Sequence, residues 1–276
     1  MAKTVLITGA NSGIGKATAK ELAKLGFHVI MLCRNEQRGV NSREEIIHES
    51  GNNNVDLMIA DLSSKDSLRR FADEFNRRYE KLDVLINNAA VNLFSRQVTD
   101  DGFEKSFATN HLGHFLLTNL LLKKLSAADK ARIINVSSSA QVELDLDDLM
   151  NEKKYAIMKV YSKTKMANVL FTYELARRLE GSRITANCLH PGVVRTNLAR
   201  DAKGIFKLLI TLFYPFFASP EKGAETSVYL ATSPEVEGIT GKYFHKTKQI
   251  RSSRQSYDEN IARKLWEVSE QLTSLR

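Results

Sequence analysis

Tyr161 and Lys165 are the pair of residues whose types and spacing most directly indicate chemistry. They stand four positions apart in a stretch that is typical of a helix, so their side chains would share one face of it. A free phenol has a pKa of about 10, and a neighbouring ammonium group stabilises the phenolate and lowers that pKa. The pair could therefore exchange a proton with an alcohol or carbonyl oxygen near neutral pH. Because Tyr-x-x-x-Lys also arises by chance on helices, the assignment depends on further residues.

Two polar residues could complete such a site. Ser138 ends a predicted buried strand, at the edge of the sheet where ligands of α/β proteins bind. Spacing alone does not choose between Ser138 and its neighbours Ser137 and Ser139, and each could simply be a hydroxyl at a strand end. Asn110 lies in a predicted helix, where an asparagine more often bends or caps the helix. The two residues gain weight only in combination with other motifs.

A glycine-rich turn follows the first predicted strand. Residues 8–15 read TGANSGIG, which places Gly9, Gly13 and Gly15 in the pattern G-x-x-x-G-x-G just before a predicted helix. Glycine permits a tight turn from strand to helix and the close approach of a diphosphate group. The free N–H groups at the start of the helix would then bind the phosphates. The turn and its position predict a dinucleotide-binding site.

Histidines suggest a metal site as an alternative. His111 and His114 are three positions apart in a predicted helix, a spacing that could supply two ligands, and His190 directly follows a later predicted strand. No third ligand is evident in the pattern, so we predict no metal centre. The two cysteines, Cys33 and Cys188, have no metal-site spacing and are too few for a disulfide framework, which favours a reducing compartment.

The elements that must position these residues alternate along the chain. Short apolar segments separated by helix-length segments are the signature of βαβ units, and they imply a parallel sheet with helices on both faces. The alternation has no linker, so we expect a single domain over residues 1–276. The predicted fold is a Rossmann-type, doubly wound α/β domain with a sheet of about seven parallel strands. The predicted strands are residues 4–7, 28–33, 55–60, 83–86, 132–136, 183–189 and 242–244, and the predicted helices are residues 13–25, 36–49, 66–79, 102–125, 161–179, 221–232 and 257–272.

Composition narrows the class of protein. Of 276 residues, 43% are hydrophobic and 26% are charged, which excludes disordered and fibrous proteins. The formal net charge is +8, but the sequence has no long basic block and no recognised nucleic-acid motif, so we predict no nucleic-acid partner. The longest apolar run, residues 208–218, is far shorter than the roughly 20 residues of a spanning helix. A strand pattern that begins at once leaves no room for a signal peptide, so we expect a cytoplasmic protein.

Taken in order, these motifs resemble the short-chain dehydrogenase/reductase family. The resemblance covers nearly the whole chain, and it rests on the glycine turn, the Tyr-x-x-x-Lys pair and Asn135-Val136-Ser137-Ser138 at the end of the fifth strand. The other matching motifs are Asp61-Leu62, Asn87-Asn88-Ala89-Ala90 where the family has Asn-Asn-Ala-Gly, Asn110, and Pro191-Gly192. Within the family the sequence is most similar to the retinol dehydrogenase-like group, through Cys33-Arg34 and residues 110–115 (NHLGHF), 165–171 (KMANVLF) and 190–194 (HPGVV).

The resemblance implies an oxidoreductase that interconverts an alcohol and an aldehyde or ketone without a metal. Tyr161 would transfer the proton, Ser138 would hydrogen-bond the substrate oxygen, and Lys165 would bind the nicotinamide ribose and stabilise the phenolate. Asn110 would hold a water molecule in the proton path. The insert at residues 142–159 would form part of the substrate mouth. A non-catalytic, NADP(H)-binding regulatory protein on the same fold is the alternative.

The residue after the second strand favours NADP(H) over NAD(H). A carboxylate there would bind the adenosine ribose hydroxyls and repel a 2′-phosphate, whereas Arg34 could hold that phosphate with two hydrogen bonds. Arg34 could also be a solvated loop residue, and Arg38 could be a second phosphate contact. The residues expected to bind the cofactor, most of them by resemblance, are Gly9, Asn11, Ser12, Gly13, Ile14, Gly15, Arg34, Asp61, Leu62, Asn88, Ala89, Tyr161, Lys165, Pro191, Gly192, Val194 and Thr196.

An apolar segment at residues 198–220 corresponds to the substrate lid of the family. Its many aliphatic and aromatic residues favour a lipophilic carbonyl substrate such as a retinoid, a steroid or a long-chain aldehyde. The same residues could instead pack in the core or at a subunit contact, and analogy with the family suggests a homodimer or homotetramer. With Lys203 and Lys207 beside it, the lid could also rest on an anionic membrane surface. Residues 256–273 are expected to form a C-terminal helix.

Overall fold

Eight strands form one sheet in the computed structural model of the protein, which describes residues 2–194 and 217–275. The order across the sheet is β3-β2-β1-β4-β5-β6-β7-β8. Strands β1 to β7 are parallel, and β8 is antiparallel to β7. The strands are β1 (Thr4–Thr8), β2 (His28–Cys33), β3 (Val55–Ile59), β4 (Val84–Asn87), β5 (Ala131–Val136), β6 (Ile184–His190), β7 (Tyr243–His245) and β8 (Lys248–Ile250).

Polar side chains at the N-termini set where several of the helices begin. Asn35 accepts a hydrogen bond from the main-chain N–H of Arg38 in the first turn of the second helix, and Ser64, Ser219 and Asp258 cap three others in the same way. The long helices in the described ranges are α1 (Gly13–Lys24), α2 (Glu36–Ser50), α3 (Lys65–Arg78), α4 (Gly113–Ser126), α5 (Ile157–Arg178), α6 (Pro220–Thr232) and α7 (Glu259–Thr273).

Two hydrophobic layers cover the two faces of the sheet. Because side chains alternate along a strand, Val5 and Ile7 of β1 face one layer while Leu6 faces the other. The Val5 layer contains residues of α1, α2 and α6, and the Leu6 layer contains residues of α3, α4, α5 and α7. All three side chains are fully buried, as expected for a parallel sheet that is covered on both sides.

The predicted doubly wound α/β fold is confirmed, with two local differences. The parallel strands number seven, but an eighth, antiparallel strand lies at the edge beyond β7. Lys248–Ile250 is only three residues long and exposed throughout, so it lacks the apolar pattern by which strands are predicted.

The long helix predicted over residues 102–125 is interrupted. A short helical turn (Lys105–Phe107) leads into a π-helix (Ala108–Leu112), and α4 begins only at Gly113. The Glu104 carboxylate accepts hydrogen bonds from the main-chain N–H groups of Ser106 and Phe107, which fixes the start of the first turn. A π-helix widens the backbone locally and frequently occurs at functional sites. This one places Asn110 at its centre.

The order of the strands creates a crevice beside β1. Strand β1 pairs with β2 on one side and with β4 on the other, so successive connections leave it in opposite directions. In doubly wound sheets, ligands bind at this point, beyond the carboxyl ends of the strands. The glycine turn follows β1 at this edge, and the Asn88 and Ser138 segments follow β4 and β5.

Candidate active site

The turn after β1 has the backbone geometry that its glycines predict. Gly9 and Gly13 have φ angles of +67° and +54°, a region that other residues adopt with strain. Gly15 is packed so closely that an added Cβ would lie 2.4 Å from the Gly9 carbonyl oxygen. Ser12 precedes α1 in an extended conformation, and its side chain does not cap the helix. The first N–H groups of α1 are thus free of a side-chain cap, which suits a phosphate group.

The loop after β4 is tied to this turn. The Thr8 hydroxyl oxygen accepts hydrogen bonds from the main-chain N–H groups of Asn88 (2.9 Å) and Ala89 (3.0 Å). The Asn88 side chain in turn donates to the Thr8 carbonyl oxygen at 2.9 Å. The predicted residues Asn11 and Ile14 lie in the same turn and at the start of α1, and the Asn11 carbonyl accepts a bond from Ser42 of α2. The structure therefore brings the glycine turn, Asn88 and Ala89 together.

Two more predicted cofactor segments lie at the neighbouring strand ends. One Asp61 oxygen accepts hydrogen bonds from the N–H and the hydroxyl of Ser63, which fixes the carboxylate after β3. Leu62 lies against α4, where a Cβ on Gly113 would meet the Leu62 carbonyl at 2.3 Å. Arg34 follows β2 directly and Arg38 lies in the first turn of α2, and both side chains are exposed. Both arginines thus follow the carboxyl end of β2, the strand that pairs with β1.

Tyr161 and Lys165, the predicted proton-transfer pair, lie on α5 as their spacing predicts. The Lys165 ammonium is 5.5 Å from the centre of the Tyr161 ring, and it donates a hydrogen bond to the Val136 carbonyl of β5 at 2.9 Å. The Ser137 hydroxyl donates to the Lys165 carbonyl at 2.7 Å and is buried, so it anchors α5 to the end of β5. Ser138 is only partly buried and interacts with the Tyr161 phenol. The structure thus separates the roles of two serines that spacing could not distinguish.

The pKa values of this pair differ from the expectation. Burial raises the pKa of the Tyr161 phenol to about 12, and the Ser138 hydroxyl partly opposes the rise. The expected lowering by the Lys165 ammonium is therefore wrong for this arrangement, because burial of the phenol dominates and the ammonium bonds to Val136. Burial also lowers the pKa of Lys165 to about 8. Near neutral pH, Tyr161 keeps its proton and Lys165 is mostly charged.

The Asn110 side chain makes hydrogen bonds to two other segments of the chain. Its Oδ1 accepts from the Val91 N–H at 2.8 Å, and its Nδ2 donates to the Val91 carbonyl and to the Thr164 hydroxyl. These three bonds occupy both donors and one acceptor position of the amide. The side chain thus fixes the loop after β4 to α5.

The histidines have protein partners. The His111 ring bonds to the Ser269 hydroxyl of α7 at 2.9 Å, and the His114 ring bonds to Thr8 at 3.0 Å. His190 stacks on His245 with the ring centres 4.8 Å apart, and burial together with His245 lowers the pKa of His190 to about 4. Within residues 2–194 and 217–275, no group of three histidine, cysteine or carboxylate side chains could hold a metal ion.

The segment after β6 lies beside the turn. Pro191 and Gly192 follow β6, and Val194 pairs with Ala218. A Cβ on Gly223 of α6 would meet both Val194 and Ile14. Val194, in the segment after β6, therefore lies close to Ile14 at the start of α1. Thr196 and residues 198–216 of the predicted lid lie outside the described residues. The lid's contacts with substrate, membrane or another subunit therefore stay predictions.

Lys163 is a residue of this region that the sequence pattern did not single out. Its ammonium is buried and donates to the side chain of Asn151 (3.0 Å) and to the carbonyl of Asp148 (3.2 Å), with the Asp148 carboxylate 3.9 Å away. Asn151 has a φ of +50° and is itself buried. Lys163 thereby ties the insert at residues 142–159 to the helix of Tyr161. The sequence signal that could have found Lys163 is its place as a second lysine between Tyr161 and Lys165.

The other residues missed by the pattern are fixed by tertiary contacts. Val91 is held through its backbone alone, so its side chain carries no signal. The Tyr243 hydroxyl of β7 donates to the Ser138 carbonyl at 2.9 Å, which positions the serine from a strand distant in sequence. Thr8 begins the TGANSGIG segment, and its place in that segment was a signal that could have found it.

The chain is similar to known proteins over nearly its whole length. A family model described as short chain dehydrogenase matches residues 3–204. Human retinol dehydrogenase 14 is 46% identical over 99% of this chain and 87% of its own length. The structure of an uncharacterized protein from Mycobacterium paratuberculosis has a TM-score of 0.80, with 37% identity over 99% of this chain and 93% of its own.

A more distant neighbour is a short chain dehydrogenase from Escherichia coli CFT073, solved as a complex with NADPH. It has a TM-score of 0.68 and 23% identity, over 88% of this chain and 95% of its own, and at that identity the likeness shows the fold.

Among the helices of residues 2–194 and 217–275, we find none with the length and apolar character of a membrane span.

Proposed function

The chain belongs to the short chain dehydrogenase family and is similar to retinol dehydrogenases, and from this premise we propose that it is an NADP(H)-dependent enzyme that interconverts an alcohol and an aldehyde or ketone. The observation that carries the proposal is the convergence of Ser138, Tyr161 and Lys165 at the carboxyl end of β5. A regulatory protein that only bound the cofactor would have no need of a phenol, a hydroxyl and an ammonium in this arrangement.

The residues fit a nicotinamide dinucleotide. Gly15 packs closely against the Gly9 carbonyl and the Asn88 side chain, which holds the turn in place, and the first N–H groups of α1 carry no side-chain cap and could bind a phosphate. Asn88, Ala89 and Asp61 line the crevice at the ends of β4 and β3. Once bound, the nicotinamide supplies or accepts the hydride, and the chain's own residues handle the proton.

The proton steps follow from the pKa values. Ser138 would hydrogen-bond the substrate oxygen and orient it toward Tyr161. Because the pKa of Tyr161 is raised to about 12, the phenol carries its proton at neutral pH and can donate it to the oxygen of a carbonyl that is being reduced. The Lys165 ammonium would stabilise the phenolate that is left, and Asn110 would pass a proton inward through a water on its carbonyl. These steps are written for reduction, and oxidation of the alcohol would follow the same steps in reverse.

The preference for NADP(H) rests on Arg34 and Arg38. Both guanidinium groups are exposed beside the end of β2, where an adenosine 2′-phosphate would lie, and neither has a carboxylate partner among the described ion pairs. Arginine binds phosphate with paired hydrogen bonds, and no acidic residue occupies the position after Cys33. Steady-state KM values for NADPH and NADH measure the preference directly.

A lipophilic carbonyl is the proposed substrate. Human retinol dehydrogenase 14 is named for a retinoid alcohol, and its 46% identity supports a substrate of the same class, such as a retinoid, a steroid or a long-chain aldehyde. A panel of these compounds, each assayed by NADPH oxidation, distinguishes among them. We further propose a single domain, a cytoplasmic location, contact of the lid with anionic membranes, and a homodimer or homotetramer. Vesicle sedimentation and light scattering test the last two.

Replacing the proton donor tests the whole proposal. Tyr161→Phe removes the hydroxyl and keeps the ring, so NADPH should still bind with an affinity within about threefold of the wild type. Turnover should fall by at least about a hundredfold, because general acid–base catalysis contributes roughly 10²–10⁴ in rate. Binding is measured by calorimetry and turnover by NADPH oxidation. Turnover retained in Tyr161→Phe would contradict the mechanism, and a wild-type protein that binds NADPH without turnover on any carbonyl would favour the regulatory alternative.

A further inference from the structure

A chain of buried hydrogen bonds runs from the cofactor loops through His114 to Asn110. The Thr8 hydroxyl accepts from the N–H groups of Asn88 and Ala89, and it also lies 3.0 Å from Nε2 of His114. On the other side of the ring, Nδ1 of His114 lies 3.1 Å from the main-chain carbonyl of Asn110. The proton chemistry proposed above makes no use of this imidazole.

The valence of the Thr8 oxygen fixes the protons in this chain. A hydroxyl has one donor and two acceptor positions, and two main-chain N–H groups already occupy both acceptor positions. The hydroxyl proton must therefore point to Nε2 of His114, which accepts it. A neutral imidazole then carries its own proton on Nδ1, which donates to the Asn110 carbonyl.

The surroundings keep the ring neutral. His114 is 2% exposed and both of its partners, Thr8 and Asn110, are fully buried. Burial, together with the charge of Lys165, lowers the pKa of His114 to about 3. A protonated ring would present two donors and would turn one of them against the Thr8 hydroxyl. One hydrogen-bonding arrangement is thus maintained throughout the physiological pH range.

We propose that His114 is a positioning residue that holds the loop of Asn88 and Ala89 and the π-helix of Asn110 in a fixed relation. Its imidazole is the buried side chain that joins the residues expected to bind the cofactor to the carbonyl expected to hold the relay water. The consequence for cofactor binding and turnover rests on the proposed function, whereas the hydrogen-bond chain itself does not. Without the ring, the Thr8 hydroxyl and the Asn110 carbonyl lose their buried partners, and the two segments can shift against each other.

The tautomer can be tested in the protein without any ligand. Nitrogen-15 NMR of the imidazole should show a neutral ring with the proton on Nδ1, unchanged between about pH 5 and 8, the range in which an ordinary histidine titrates. A proton on Nε2, or titration within that range, would overturn the assignment. This result does not depend on the protein being an enzyme.

Two substitutions at His114 test the positioning role. In His114→Gln a side-chain amide can replace both the acceptor and the donor, so NADPH should bind within about threefold of the wild type. His114→Phe removes both, and its dissociation constant for NADPH should rise about tenfold, equivalent to about 1.4 kcal/mol, with kcat falling as well. Rescue by glutamine distinguishes hydrogen bonding from simple filling of space. Equal affinities for wild type and His114→Phe would refute the role.

His111 provides the matched control. It lies three positions away, is equally buried and makes its bond to Ser269 of α7 rather than to a cofactor loop. His111→Phe should lower the free energy of unfolding about as much as His114→Phe and leave the dissociation constant for NADPH unchanged. If both variants weaken NADPH alike, the effect is general destabilisation and the proposal fails. If the wild type itself does not bind NADPH, the proposed function fails while the NMR test of the hydrogen-bond chain still stands.

Discussion

Gly15 is the position where a single added carbon tests how closely the cofactor turn is packed. In Gly15→Ala the new Cβ would lie 2.4 Å from both the Gly9 carbonyl oxygen and the Asn88 side-chain nitrogen, whereas ordinary contact begins at 3.4 Å. The Asn88 amide could rotate away only by breaking its bond to the Thr8 carbonyl. The Gly9 oxygen belongs to the backbone, so relief requires the turn itself to move.

The magnitude follows from two opposing effects. Overpacking of this kind costs about 1–3 kcal/mol, while alanine in place of glycine within a helix gains up to about 1 kcal/mol. We therefore expect Gly15→Ala to lower the free energy of unfolding by about 1–2 kcal/mol. Because the displaced groups line the cofactor turn, the dissociation constant for NADPH should rise at least about tenfold, or about 1.4 kcal/mol.

Gly39→Ala is the matched control. Gly39 is also a buried helical glycine, but its added Cβ would meet the end of the flexible Leu57 side chain at 2.7 Å. The leucine can move, so the helix-propensity gain of up to about 1 kcal/mol should offset most of the packing cost; the free energy of unfolding should therefore change little, and NADPH affinity should not change. Urea denaturation and calorimetry measure the two quantities. A Gly15→Ala protein with wild-type stability and NADPH affinity would refute the reasoning about the turn.

Three further predictions concern charge. Arg34→Asp should raise the KM for NADPH at least about tenfold, because a paired phosphate contact is lost and a charge repulsion is added. The KM for NADH should stay nearly unchanged. An unchanged ratio of the two KM values would contradict the 2′-phosphate assignment. Lys163→Met removes the buried ammonium that holds Asn151, a loss of about 1.5–3 kcal/mol for a bond to a charged group, so the KM of the carbonyl substrate should rise while NADPH affinity stays constant. A wild-type substrate KM in this variant would separate the insert from the substrate mouth. Burial lowers the pKa of Lys165 from 10.5 to about 8, so between these pH values the unfolded chain binds one more proton than the folded chain. The free energy of unfolding should therefore rise with pH across that interval, while the rate of reduction falls because Lys165 loses its charge. If Lys165→Met left both pH profiles unaltered, this prediction would be wrong.

The sequence was sufficient for the features that depend on local pattern. Apolar strands such as His28–Cys33 are buried as a continuous run, so their boundaries followed directly from composition. The glycine turn was predictable because glycine adopts the φ angles of Gly9 and Gly13 without strain. The spacing of Tyr161 and Lys165 placed them on one face of a helix, as the helical period requires.

Features that depend on tertiary contact could not be predicted. The pairing of Asn110 with Val91 joins two segments through a backbone, and spacing alone could not show that the Ser137 hydroxyl meets the Lys165 carbonyl. The predicted direction of the pKa shift at Tyr161 was wrong, because a four-residue spacing does not show how deeply the phenol is buried. In each case the deciding quantity is a distance between residues remote in sequence.

The shortness of strand β8 has a consequence for behaviour at high concentration. As the last strand of the described sheet, β8 leaves one row of backbone N–H and C=O groups without a neighbouring strand. Such edges recruit strands from other molecules and promote aggregation when they are long, flat and apolar. Lys248–Ile250 offers only three exposed residues and begins with a lysine, whose charge would be buried by any incoming strand. This edge of the described sheet therefore offers few backbone groups for pairing with a strand of another molecule.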